Sequence, residues 1–533
     1  MSAETWSPSV KEVVQMETAN TNLNVAECCE IGPTSARQRN QEAFEIRQDA
    51  AVFQRDLPLP GHPCNGDEDL FPSKIGSYSK GLPHNQLGEV NLNAYRDLIR
   101  ALSTGNPDDL EFITLGGVTK LVNPQAAYAF DLAGPDSHHL GMIPAPAFSS
   151  AQIAGEMAEL YWQALTRDVP FADYDTDPLT IAAASDLSDF SDFRGPKVNG
   201  MVTTGTLFRG NTPGDLVGPY ISQFLWQDIP FGAKTIVQQY RTTVAGDDHL
   251  TSYQDWLNIQ NGFPPTVPNE FDPTPRYIRS GRDMGEYVHR DFPYQEGLGA
   301  CLILLGFGQS ALDPSNPYLR SLTQVGFATF GGPHILDFVA RAARTALEAA
   351  WFQKWLVHRR LRPEEFGGRV QNLLTGAASY PINQELLDSQ AVSEVFGKFG
   401  TYLLPQAYPE GCPTHPAYPA GHACFAGAGV TMLKAFFNES FVVPNPVAAS
   451  SDGLSLVPFQ GPPLTVGGEL NKLAANVAFG RDYAGIHWRS DGIEGLKLGE
   501  AVAIGVLQDY RNTYNEDFRG FTLTKFDGTR III

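Results

Sequence analysis

Positive charge is scarce in this sequence: 38 Lys and Arg stand against 59 Asp and Glu, for a net charge of -21. Such an acidic surface repels phosphate backbones and anionic lipid, so neither nucleic acid nor a membrane surface is an expected partner. It also makes any local cluster of Lys and Arg stand out. Long apolar runs are missing too; none approaches the ~18 residues of a membrane-spanning helix. The N-terminus, Met1-Ser-Ala-Glu-Thr-Trp-Ser-Pro, sets no basic stretch before an apolar one, so no secretory leader is expected. Cysteine is sparse. Cys28, Cys29, Cys64, Cys301, Cys412 and Cys424 fit neither a zinc site nor a disulfide framework, and reduced, partly buried thiols are expected. The adjacent Cys28 and Cys29 cannot easily bridge to each other, which leaves an intersubunit disulfide as the open alternative.

What is present is ample for a large core: 533 residues, 42% hydrophobic, with no internal repeat. Its 51 glycines and 39 prolines are dispersed, which reads as many long, ordered connections. Helical periodicity predicts helices over 35–54, 93–104 and 150–167, and a long one over His334–Leu361 with Pro333 near its start and Pro363 just past its end. Further helices are expected over 421–437, 470–479 and 486–509. The segment 168–215, rich in Asp, Ser, Gly and Pro, reads as irregular, as does proline-rich 262–276. Strand signals are few: 220–226, 235–240, and a C-terminal hairpin over 521–533 around Asp527-Gly528. The expected fold is mainly α, a helical-bundle core with long loops and a few short strands. The expected division is an N-terminal arm with a helix (1–60), a helical and loop region (61–300), and a catalytic bundle (301–533).

Three blocks carry chemistry. In the first, Lys354 and Arg362 lie eight residues apart, close enough to two helical turns to share one side of a helix. A compact ammonium and a planar guanidinium together suit a tetrahedral oxyanion. Alone, the block is as readily a solvated basic helix end. The second, His415-Pro-Ala-Tyr-Pro-Ala420-Gly421-His422, leads into a helix of small residues. Free amides at a helix start attract anions, Gly421 admits one close to the backbone, and His422 can move a proton there. Alone, such a histidine is more often a cap or a packing residue. The third is Arg481-Asp-Tyr-Ala-Gly-Ile-His487-Trp-Arg-Ser-Asp491. Here Asp491, four residues on and on the same helix face, can hold one imidazole nitrogen of His487 and leave the other free as a metal ligand or nucleophile. Alone, this is as readily a surface helix with charge pairs.

In this order within 354–491, the blocks resemble the vanadium-dependent haloperoxidases and the acid phosphatases that share their anion pocket. Arg47–Phe53, Tyr78–His84, Tyr287–Gln295 and Phe521–Arg530 resemble the algal and cyanobacterial bromoperoxidase branch, so the likeness runs from about residue 38 to the end. The resemblance implies that His487 bonds vanadium, that Lys354, Arg362 and Arg481 surround the vanadate oxygens, and that the Gly421 amide donates to one of them. It makes His422 the acid–base residue, Asp491 the partner of His487, and Asp291 an acidic residue pairing with a pocket arginine. His415 falls where bromoperoxidases carry a second histidine and chloroperoxidases an aromatic residue, which tilts the reading towards bromide. Trp351 would shape the halide side. One position departs: where many members have Ser before Gly-His, this chain has Ala420, and the missing hydrogen bond is worth roughly 0.5–3 kcal/mol of vanadate affinity.

The implied reaction uses vanadate as a Lewis acid at constant oxidation state. Hydrogen peroxide oxidises bromide to a hypobromite equivalent, which brominates small organic acceptors. Relatives are homo-oligomers, sometimes large hollow assemblies, so the resemblance implies a homo-oligomer, with a dodecamer as one open size. Some hold a structural calcium, for which Phe307-Gly-Gln309-Ser-Ala-Leu-Asp313-Pro-Ser-Asn316 offers oxygens; a plain Asp-Pro-Ser-Asn turn is the other reading. Two alternatives remain: an acid phosphatase with His487 as nucleophile, and a non-catalytic oxyanion-binding or shell-forming protein.

Overall fold

The computed structural model describes residues 32–533. Cys28 and Cys29 lie outside them; Cys64, Cys301, Cys412 and Cys424 are free thiols. The chain divides into two units, Met1–Val52 and Phe53–Ile533. Helix α1 (Ala36–Arg55) begins at Ser35, whose Oγ accepts from the Gln38 amide.

The longer helices of the second unit are α2 (Leu92–Thr104), α3 (Ala151–Thr166), α4 (Pro178–Asp189), α5 (Tyr253–Gln260), α6 (Gly281–Arg290), α7 (Gln295–Gly306) and α8 (Gly332–Phe352). They continue with α9 (Pro363–Leu374), α10 (Gln390–Phe399), α11 (Gly421–Phe436), α12 (Val466–Tyr483) and α13 (Arg489–Tyr510). Three antiparallel two-stranded ribbons complete the described residues: β1 (Ile229–Phe231) with β2 (Lys234–Ile236), β3 (Val447–Ala449) with β4 (Leu456–Pro458), and β5 (Thr522–Thr524) with β6 (Arg530–Ile532). The last places Leu523 opposite Ile531, as the alternating C-terminal pattern predicts.

At the centre stands α11, buried along almost its whole length and packed on α8, α12 and α13. Its small residues let α13 approach backbone to backbone. A Cβ at Gly499 would come within 2.0 Å of the Cys424 carbonyl, and one at Gly427 within 2.5 Å of the Leu496 carbonyl. This contact holds the start of α11 against the start of α13. A second core forms around α3, and a third packs α2 on Trp355.

Several elements depart from the sequence reading. The long helix does not reach Leu361: after Phe352 the backbone widens into a π-helix, Gln353–His358, and Arg359, at φ 36°, turns the chain away. Pro363 therefore opens α9 instead of ending α8, and Arg362, extended at φ -82°, ψ 155°, is its N-cap. Lys354 and Arg362 thus do not share a helix. The segment 168–215 contains α4: its Asp177 accepts from the amides of Leu179 and Thr180, and Pro178 takes the first position, so the residues read as loop-formers are start signals. Residues 220–226 form a 3-10 turn, Gln223–Leu225, capped by Ser222. Helix α12 outruns its expected span at both ends, and α13 starts only at Arg489, which leaves His487 before the helix.

Gly499→Ala should lower the midpoint of chemical unfolding by the equivalent of about 1–3 kcal/mol, because the methyl group has no space against α11. An unchanged midpoint would show that the two helices can part at no cost.

Candidate functional site

The three blocks meet at one point. Lys354 comes from the π-helix, Arg362 from the α9 N-cap, His415 from the loop before α11, Gly421 and His422 from the first turn of α11, Arg481 from the last turn of α12, and His487 from the α12–α13 connection. Lys354 and Arg362 are fully buried, and Arg481 is 6% exposed.

None of these three cations has a carboxylate within salt-bridge distance among the described residues, although Arg167, Arg282, Arg360 and Arg489 all do. Instead, Lys354 Nζ donates to the carbonyls of Pro416 and Ala417, each at 2.9 Å. Arg362 donates to the carbonyls of His415 and Ile486 at 3.0 Å, and Arg481 Nη1 to Val288 at 2.7 Å. Arg481 Nε has no partner, and the guanidinium lies 5.3 Å from the Tyr408 ring centroid. Buried charge costs heavily unless matched, so three such basic groups in one place suit an anion between them.

The histidines complete the wall. Nδ1 of His487 lies 2.8 Å from Asp491 Oδ2, and Nε2 lies 2.9 Å from Arg362 Nη1. An Nδ1–H donated to the carboxylate leaves the Nε2 lone pair facing the cations. Asp491 is not one turn along a shared helix face, as the spacing predicts; it is the third residue of α13 and also accepts from the Trp488 amide at 3.1 Å. His422 Nε2 donates to Asp291 Oδ1 at 3.1 Å. Asp291 has no arginine within salt-bridge distance among the described residues, so its partner is the histidine. His415 sits 3.0 Å from Arg362 Nη2, with its ring 4.9 Å from that of Trp351. Trp351 also flanks Gly421, where a Cβ would come within 3.2 Å of it. Ala420 is the N-cap of α11 and offers no side-chain hydrogen bond to the first-turn amides, so those donors remain free.

Crowded charge sets the protonation. Burial, then repulsion from Arg362 and Lys354, pushes His415 and His487 well below the ordinary histidine range. Burial also lowers His422, with Asp291 acting against it, and burial plus Arg362 lowers Lys354 well below the usual lysine range. An anion at the centre would reverse the direction of the Coulomb effects.

Sequence reasoning missed Arg360, Tyr408 and the Val288 carbonyl, which brace the wall from behind. The only hint of Arg360 was its place in the basic run before Pro363. In the loop named as a calcium candidate, Asp313 Oδ1 accepts from the Ser315 amide and Asn316 Oδ1 from the Tyr318 amide, the local bonds of an Asp-Pro-Ser-Asn turn.

Fold and site together define a helical-bundle protein with Lys354, Arg362, Arg481 and three histidines gathered and buried at one place. Residues 338–516 match the family model described as the VCPO second helical-bundle domain. The chain is 36% identical to a vanadium-dependent bromoperoxidase of Ascophyllum nodosum, covering 92% of each, and 34% identical to one of Corallina officinalis, covering 94% of this chain and 100% of that one. It superposes with TM-score 0.89 and 31% identity on the homohexameric second vanadate-dependent bromoperoxidase of Ascophyllum nodosum, over 98% of this chain and 95% of that one. The chain belongs to the vanadium-dependent haloperoxidases, in their bromoperoxidase branch. Vanadate, the cofactor of that family, fits the donor set: three uncompensated cations, free first-turn amides and one imidazole lone pair.

Two outcomes are expected. Ala420→Ser should tighten vanadate binding, measured by equilibrium dialysis, by about 0.5–3 kcal/mol, the worth of one added hydrogen bond; unchanged affinity would place the hydroxyl away from the anion. The sign of the histidine shifts also makes a prediction. A base whose folded pKa is lowered costs nothing above its unfolded value of about 6.5 and destabilises progressively as pH falls below it. Inorganic phosphate should therefore raise the melting temperature at pH 6, and Arg481→Met should remove most of that rise. No rise in the parent protein would contradict an anion site.

Proposed function

We propose that the protein is a vanadate-dependent bromoperoxidase, oxidising bromide with hydrogen peroxide to hypobromite that halogenates small organic acceptors. The observation that carries this is the convergence of three buried basic side chains, none with a carboxylate within salt-bridge distance among the described residues, on an imidazole whose free nitrogen faces them. In this reading His487 bonds vanadium, and Lys354, Arg362 and Arg481 balance the charge of the oxygens. The Gly421 amide donates to one oxygen. Bound vanadate would supply Lewis-acid activation of peroxide. His422, held by Asp291, takes and returns the peroxide proton; Lys354 keeps an N–H aimed at the centre from its two carbonyl anchors; His415 and Trp351 shape the approach of bromide. In this reading residues 301–533 are the catalytic bundle.

The bromoperoxidase relatives favour this over an acid phosphatase, in which His487 would be the nucleophile. No described helix is long and apolar enough to cross a membrane. We assign the chain to a homo-oligomer, because the solved relative is a homohexamer; nothing supports a dodecamer over that.

In vanadate buffer the parent protein should brominate a phenol-red-type dye with peroxide and bromide, and His487→Ala should abolish the activity. Full activity in that variant, or phosphomonoester turnover by the parent without vanadate, would overturn the assignment.

A further inference from the structure

Behind His487 lies an ordered ionic chain that the pocket chemistry does not by itself require. Arg360, 1% exposed, donates from Nη1 to Asp491 Oδ1 at 2.6 Å and to Ser490 Oγ at 2.8 Å. Its Nη2 lies 3.4 Å from Glu156 Oε2, and its guanidinium 4.8 Å from the Trp488 ring centroid. Ser490 Oγ donates to Glu156 Oε2 at 2.7 Å, and Gln152 Nε2 holds the other Glu156 oxygen at 2.9 Å. Asp491 is thus gripped on both sides: Oδ1 by Arg360, Oδ2 by the Trp488 amide and His487 Nδ1. Glu156 and Ser490 also line a separate cavity of about 930 Å³ between α3 and α13.

Without Arg360 the Trp488 amide would still hold Oδ2, but buried Oδ1 would lose its donor and the carboxylate could tilt to bring either oxygen towards the imidazole. With the guanidinium in place, only one oxygen is available, and its direction is set. The imidazole then keeps its proton on Nδ1, because any other tautomer would leave Oδ2 short of a donor and set an N–H against Arg362. The bound state needs the same arrangement, since only an unprotonated Nε2 can bond a metal.

We propose that Arg360, backed by Glu156 and Ser490, is the positioning residue that locks His487 in the Nδ1-protonated tautomer and so presets its nitrogen for vanadium. This deepens the proposed function and rests on the reading that His487 bonds vanadium. It also gives Glu156, a carboxylate on a distant helix, a part in vanadate affinity.

The test uses anion-free full-length protein labelled with 15N-histidine, together with equilibrium dialysis against vanadate. In the parent, the His487 Nε2 resonance should be that of an unprotonated nitrogen. Arg360→Met should move population to the Nε2-protonated form and weaken vanadate binding about 10- to 100-fold. Arg360→Lys, which restores a donor to Asp491, should recover most of both. Arg360→Met with the parent's spectrum and affinity would overturn the proposal. Should that variant fail to fold, Glu156→Gln combined with Ser490→Ala decides: a shift in the same direction in both measurements supports it, and no change in either overturns it. His487→Ala separates the two ideas. If it binds vanadate like the parent, the vanadium assignment falls; if it loses vanadate while Arg360→Met does not, only the role of Arg360 falls.

Discussion

The structure depends on a repulsion held in check. Lys354, Arg362 and Arg481 are buried together, with no carboxylate within salt-bridge distance of any of them among the described residues, a costly arrangement unless an anion joins them. The protein meets part of that cost with main-chain dipoles. Carbonyls of Pro416, Ala417, His415, Ile486 and Val288 each accept from one of the cations. These bonds fix the direction of each side chain without cancelling its charge. The backbone thus sets the direction in which each of these side chains presents its charge.

Keeping such a site from collapsing outward needs a rigid frame, and the α11–α13 contact supplies it. The two helices begin side by side, and the Ala420 amide donates to the Asp491 carbonyl at 3.0 Å. One start contributes amides and His422; the other contributes Asp491, which orients His487. A change of one methyl group between these helices would be felt at both ends of the constellation.

Much of this was legible in the residues. Periodicity located α2, α3, α8 and α11, and the alternation around Asp527-Gly528 located the C-terminal hairpin, because each rests on a local pattern that tertiary packing reinforces. The residues that the structure brings together at the candidate site stood out by type and order. What the sequence hid was the path of the backbone between them. The apolar pattern runs on through Leu356, so nothing local announces the π-turn at Gln353 or the reversal at Arg359. Asp177 and Pro178 are both loop-formers and helix starters, and only the packing of α4 against α3 decides between them. Arg360 could not be singled out, since its partners Glu156 and Asp491 lie 204 and 131 residues away in the chain.

The most direct test of the account is a crystal structure after soaking in orthovanadate. One vanadium centre should appear bonded to Nε2 of His487, with its oxygens against Lys354, Arg362, Arg481 and the Gly421 amide, and Arg360 unmoved behind Asp491. Vanadium bound elsewhere, or a pocket that stays free of it at saturating vanadate, would contradict it.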